Sequence, residues 1–284
     1  MGTHNLTTSA QWPAPAKLNL FLHVVGRRDD GYHLLQTVFQ FIDRCDYLDF
    51  SLRTDGAINR TGGIEGLAPD DDLVVQAARR LAEISGARVP GVDIHIEKHI
   101  PEGGGLGGGS SDAATTLLAL NRLWSLGLSN DVLAETGLML GADVPVFIHG
   151  HAAFAEGVGE RLTATNPTES WYLVLVPHCR VVTAGIFADL QLTRYTPLIT
   201  MADLSTGQLR NDCEAVVSRR YPAVAEAIAW LSRYGDARLT GTGACVFAPF
   251  DTEDAAQEVL KRLPKGQVGF VARGMNTSPV MRYL

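Results

Sequence analysis

The sequence predicts an α+β fold organised as two domains of two layers each. Three observations carry that expectation. Residues 16–25 and 92–97 alternate apolar and polar side chains, the two-residue period of strands packed on one face and wet on the other, which suits antiparallel sheet. Segments with helical period are interleaved with these strands. Between Leu162 and Ser170 the composition turns to Thr, Asn, Pro and Glu, which places a boundary there and gives units of 1–162 and 163–284.

Each element follows from its own pattern. Met1 to Gln11 is polar and expected to be unordered. Ala16 to Val25 sets Leu18, Leu20, Leu22 and Val24 on one face and Lys17, Asn19, Phe21 and His23 on the other, a half-buried strand. A polar turn over Gly26 to Gly31 leads to an apolar-rich stretch, Tyr32 to Ile42, and Asp46 to Leu52 reads as a further short strand. Asp72 starts a helix that buries Leu73, Val74, Ala77, Ala78, Leu81 and Ile84. Val92, Ile94 and Ile96 form a strand leading into a glycine run. Ser110, Ser111 and Asp112 then start a helix over Ser111 to Trp124. Ser129 or Asp131 caps a second helix that runs to Leu140 and is ended by Gly141. Ala142 to His149, with Pro145 inside it, reads as a connection, and Ala152 to Val158 as a strand. Beyond the boundary come a strand (Trp171 to Val176), a helix (Ala223 to Tyr234), a turn with a strand (Ala237 to Phe247), a helix (Ala255 to Leu263) and a last strand (Gln267 to Ala272).

Composition removes several function classes. A net charge of −7 with no basic stripe argues against a nucleic-acid surface. No apolar run reaches bilayer-spanning length and the first residues lack the apolar segment of a secretory signal, so a cytoplasmic protein without membrane partners is expected. Cys45, Cys179, Cys213 and Cys245 have no metal-ligand spacing, and the histidines form no His-x-x-x-His unit. No protein-held transition metal is therefore expected.

The glycine run carries the chemistry. Gly103, Gly104, Gly105, Gly107, Gly108 and Gly109 fill six of seven successive positions. Such a run offers bare N–H groups, and the helix after it points its positive end at the same place, which is a physical phosphate site. The spelling Gly-x-Gly-x-x-Gly is present, but the strand before it is one-side wet and no acidic strand end follows about 20 residues later, so a dinucleotide-binding domain is set aside. No Lys-Ser or Lys-Thr follows the last glycine, so the P-loop pattern also fails. Phosphate charge is left to amides, to Ser110 or Ser111, to Mg²⁺ brought by ATP, and to Lys98 close upstream.

Four further segments complete a pattern: Pro-Ala-Lys-Leu-Asn-Leu-Phe-Leu (Pro15 to Leu22), Asp-Gly-Tyr-His (Asp30 to His33), Leu-Gly-Ala-Asp-Val-Pro-Val-Phe (Leu140 to Phe147) and Leu-Thr-Gly-Thr-Gly-Ala-Cys-Val-Phe (Leu239 to Phe247). With the glycine run they resemble the GHMP small-molecule kinase superfamily, from about Trp12 to about Ser278. The first two point to its branch acting on a cytidine-diphosphate-linked polyol. The resemblance implies ATP-dependent phosphorylation of a tertiary hydroxyl, with Mg²⁺ carried by the nucleotide. It also implies a ribosomal-protein-like N-terminal domain, a ferredoxin-like C-terminal domain, an active site in the cleft between them, and a monomer or homodimer.

By that resemblance Asp143, held on rigid backbone before Val144-Pro145, is the general base, and Lys17 polarises the attacking hydroxyl. Lys17 and Asn19 lie two apart on one strand, so both can point into one cleft. Asn19 positions substrate, while Tyr32 and His33 take the cytosine end with Thr183 and Phe187 of the second domain on its other side. The six glycines, Ser110, Ser111, Lys98 and Asp72 serve ATP. Two departures stand out: Asp71-Asp72-Leu73 replaces the usual Asp-Asn-Leu, which removes an amide donor, and Thr242 replaces a serine while keeping the hydroxyl. Another kinase of the superfamily acting on homoserine, mevalonate or a sugar, and a non-catalytic nucleotide-binding protein, remain the alternatives.

Overall fold

The computed structural model describes residues 6–64, 66–86, 89–205 and 209–284. The strands, in chain order, are β1 (Leu6–Arg27), β2 (His33–Arg53), β3 (Ile58–Gly62), β4 (Gly91–Glu97), β5 (Ala153–Glu156), β6 (Arg161–Ala164), β7 (Trp171–Val176), β8 (Arg238–Leu239), β9 (Val246–Phe250) and β10 (Val268–Met275). The helices are α1 (Leu73–Ile84), α2 (Gly108–Leu123), α3 (Asn130–Leu138), α4 (Val144–His149), α5 (Thr183–Phe187), α6 (Glu214–Arg220), α7 (Pro222–Leu231) and α8 (Glu253–Leu260). The architecture is α+β, as expected.

β2 organises the molecule. Along one edge it pairs antiparallel with β1 from Arg27↔His33 to Leu6↔Leu52. Its other edge is shared in succession by β5 at Thr37–Phe39, β10 at Phe41 and Ile42, and β4 from Tyr47 to Arg53. The apolar-rich stretch and the short strand expected here are therefore one strand, because register shifts in the β1–β2 pairing bend the ribbon without ending it. Through β10 the sheet continues to β7, β9 and β8. Of the N-terminal stretch expected to be unordered, residues 1–5 lie outside the described residues, whereas Leu6 to Gln11 belongs to β1.

Among the described residues four apolar clusters form, the smallest around Phe21, Val38 and Phe154. One packs α1, α2 and α4 onto the β1–β2–β4 region. A second joins β7, β9, α6 and α7. The third lies between them and includes Ala16, Leu18, Ile42, Ile100, Leu106, Val174, Cys245 and Phe247. Leu106, the one non-glycine residue of the run, is buried in it and anchors the loop to strands from both halves.

Several expectations change. β1 is not half-wet: Lys17, Asn19, Phe21 and His23 are all under 4% exposed, because residues of the C-terminal half, among them Ile199, Leu204, Leu209 and Arg210, cover that face. The residues expected to connect α3 to β5 contain α4, with Pro145 in the first turn, where a missing N–H costs nothing. α2 begins inside the glycine run, after Gly107 in a left-handed conformation (φ 74°), so its start precedes Ser111.

Candidate active site

A cavity of about 900 Å³ opens between the two halves. Its floor is the glycine loop. Gly103, Gly105 and Gly107 adopt positive φ, which lets the backbone turn its amides inward. The first-turn amides of Gly108, Gly109 and Ser110 have no intrahelical acceptor and face the same space as the positive end of α2. A second small-residue loop braces this floor from below. Ala244 N donates to Gly103 O (3.3 Å), Cys245 N to Gly104 O (3.0 Å), and Thr240 Oγ1 to Gly105 O (3.4 Å). A Cβ on Gly105 would come within 2.3 Å of Thr240 O, so no larger residue fits there without displacing that brace.

At one wall sits Lys17. Its ammonium donates to Asn19 Oδ1 (2.6 Å) and to Gly105 O (2.9 Å), and pairs with Asp143 Oδ2 at 3.2 Å. Phe39 lies beneath it, the ammonium 5.5 Å from the ring centre. Asp143 is the residue before α4, yet its side chain makes no helix-capping hydrogen bond, so the carboxylate is free to face Lys17 and the cavity. Asn19 is held on both sides, its Nδ2 donating to Thr37 Oγ1 (3.0 Å) and its backbone N–H to Thr240 Oγ1 (3.0 Å). It thus fixes Lys17 while itself lining the cavity.

The opposite end of the cavity is aromatic. Tyr32 stands 65% exposed at the rim. The His33 ring stacks on Phe187 with centroids 5.0 Å apart and planes at 25°. Burial, with the Arg194 and Arg27 cations, lowers the His33 pKa, so the ring is neutral near pH 7. Thr183 Oγ1 shares a 2.8 Å hydrogen bond with Thr242 Oγ1, linking α5 to the brace loop.

Three expected site residues are placed differently. Asp72 does not line the cavity; it accepts the Val74 N–H as helix cap and pairs with Arg60 Nε at 2.9 Å. Ser111 is fully buried one helical step, about 100°, around from Ser110, and only Ser110 lines the cavity. Lys98 lines it too, but its ammonium is already bound by Asp46 and by Asp112 Oδ2 (2.7 Å). Asp46 also accepts the N–H groups of His99 (2.5 Å) and Ile100 (2.8 Å), which fixes the strand exit into the glycine loop. Burial, only partly offset by Lys98, and the nearby Asp46 charge push Asp112 up to about 7. The lysine is thus a counter-ion to buried carboxylates, which leaves the loop amides and Ser110 as the uncommitted donors beside the cavity.

Comparison with known proteins decides the family. The profile of the GHMP kinases N terminal domain matches residues 72–151, and that of the GHMP kinases C terminal matches residues 186–268. The 4-diphosphocytidyl-2-C-methyl-D-erythritol kinase of Shewanella denitrificans is 56% identical over 277 residues, covering 97% of each chain. The chain belongs to this kinase family. The 4-diphosphocytidyl-2-C-methyl-D-erythritol kinase of Alkalilimnicola ehrlichii is likewise 56% identical, over 97% of this chain and 94% of its own. A crystal structure of a 4-(cytidine 5'-diphospho)-2C-methyl-D-erythritol kinase superposes with a TM-score of 0.81 at 32% identity, over 93% of this chain and 99% of the other. Membership of this small-molecule kinase family gives the two ends of the cavity a common purpose. Among the residues missed in the sequence, Arg194 and Thr37 carry no motif, and Leu106 was masked by the glycines around it.

Proposed function

We propose that the chain phosphorylates the 2-hydroxyl of 4-diphosphocytidyl-2-C-methyl-D-erythritol with ATP, in non-mevalonate isoprenoid precursor synthesis. The observation that carries the reading is the 3.2 Å Lys17–Asp143 pair, set in one cavity between the glycine loop and the Tyr32–His33–Phe187 cluster. The glycine amides and Ser110 would hold the phosphates. They fit that role because positive φ and the free first turn of α2 aim donors into the cavity. Asp143 takes the hydroxyl proton while Lys17 steadies the alkoxide charge, so the acceptor attacks directly with no phosphorylated enzyme.

Magnesium would be carried by the triphosphate and would supply charge neutralisation to the transfer, beside the loop amides and Ser110. Among the described residues no helix is long and apolar enough to cross a membrane; a cytoplasmic enzyme working as monomer or homodimer is part of the proposal. The boundary at 162/163 divides the catalytic unit from the unit that supplies Thr183 and Phe187. A coupled ADP-release assay tests the proposal. Turnover with the cytidylylated methylerythritol and none with homoserine or mevalonate is expected; the reverse order of acceptors refutes it.

A further inference from the structure

Arg194 occupies an unusual position for a residue outside every motif. Its guanidinium donates through Nε to His33 Nε2 (3.1 Å), through Nη1 to Leu192 O (3.3 Å), and through Nη2 to Phe187 O (2.8 Å) and Asp189 O (3.0 Å). One side chain therefore joins the end of α5 to the start of β2, across 161 positions of sequence. Arginine has no acceptor atom, so His33 Nε2 must present its lone pair, and the single proton of the neutral ring sits on Nδ1. Nδ1 makes no hydrogen bond to a described residue, and His33 lines the cavity. The ring is offset on Phe187, since 5.0 Å between centroids exceeds face-on contact, and part of the Phe187 face stays open. A flat base lying on that remainder would be tilted about 25° from the imidazole plane and would meet its edge.

We propose that Arg194 is a positioning residue for pyrimidine selection: it fixes the His33 proton on Nδ1, so that His33 offers an in-plane donor that accepts cytosine and rejects uracil. Cytosine N3 is an acceptor and completes that hydrogen bond. Uracil N3 carries a hydrogen and opposes it, leaving two donors facing each other in a desolvated site. The inference rests on the placement of the cytosine end proposed above.

The test uses the full chain labelled with ¹⁵N-histidine at pH 8, where ring nitrogen shifts report the tautomer. His33 is expected with Nδ1 protonated and Nε2 bare. Arg194→Met is expected to move the proton to Nε2 in a large share of molecules. Cytidine 5′-diphosphate is expected to shift the Nδ1 signal of the wild type. In steady state, Arg194→Met should raise KM for the cytidine-linked substrate about tenfold and leave KM for ATP within about twofold, and the preference for cytidine over uridine diphosphate as inhibitor should fall about tenfold. A wild-type ring protonated on Nε2, or an unchanged tautomer in the variant, overturns the role of Arg194. A tautomer that moves while cytidine diphosphate leaves His33 undisturbed instead overturns the placement of the base, and with it the selection. Should Arg194→Met fail to fold, the wild-type ring spectrum and the wild-type inhibitor ratio decide: an Nε2 proton or equal inhibition refutes the proposal.

Discussion

Gly107→Ala tests how closely the phosphate loop and the chemistry are joined. Gly107 has φ 74° and immediately precedes α2. An L-residue there costs about 1–2 kcal/mol in backbone strain, against which alanine recovers roughly 0.4–1 kcal/mol by restricting the unfolded chain. The new Cβ would lie 3.0 Å from Phe147 Cζ and 3.1 Å from Lys17 Cε. Phe147 is locked in the core, so the lysine must yield. Together these give a loss of roughly 1–3 kcal/mol, or about 2–10 °C in midpoint for a chain of this size. Turnover should fall further, by about a hundredfold, because a shift near 1 Å in Lys17 breaks its alignment with Asp143. The companion Gly109→Ala sits within the helix with only Leu73 Cδ1 at 3.6 Å, and should raise the midpoint of the ligand-free protein by an amount near 0.5–1 kcal/mol. Thermal unfolding and ADP release read both variants. A Gly107→Ala protein with wild-type midpoint and turnover, or the same sign of stability change in both, refutes the reasoning.

Asp143→Asn should fold with a midpoint near wild type, since the carboxylate caps no helix and is one-third exposed, while turnover drops by about 10²–10⁴-fold; wild-type turnover would remove it as base. Tyr32→Ala should leave stability unchanged at its exposed rim position and raise KM for the cytidine-linked substrate by about tenfold or more, through lost stacking, with ATP binding unaltered. For Asp112 the native pKa of about 7 stands above the unfolded value of 3.8, so the folded state holds the extra proton between them. Stability from this group is therefore present below about pH 4 and lost as pH rises to about 7. Asp112→Asn should remove that slope, and its midpoint relative to wild type should climb between pH 5 and 8; parallel curves would contradict the assignment.

Local signals were readable wherever one segment decides its own structure. The cap at Asp72, the alternation of β4 and the whole of β7 follow from spacing alone. What escaped depends on partners distant in sequence. The polar face of β1 reads as wet until the C-terminal half is laid over it, which also turns Lys17 from a surface lysine into a buried one. Lys98 reads as a free cation because Asp46, 52 positions upstream, gives no hint of their contact. Pro145 reads as an interruption, since a first-turn proline and a helix-breaking one look alike in sequence. α5 and α6 are too short for periodicity, and with α5 the ring contact of Phe187 to His33 went unseen. The phosphate loop, its serines and Lys98 were legible from chemistry, the other site residues only from likeness to a family; the fold gathers them around one cavity with the exceptions of Asp72 and Ser111.

Leu106 sets a limit on how this enzyme can breathe. Because its side chain is shared by strands of both halves, and because Gly103 and Gly104 accept hydrogen bonds from Ala244 and Cys245, the loop proposed to cradle ATP doubles as the weld between them. Swinging the halves apart would dismantle the cradle in the same stroke. Any motion between the halves is therefore felt at the loop that would hold the phosphates, and Tyr32 guards only the far, aromatic end of the cleft.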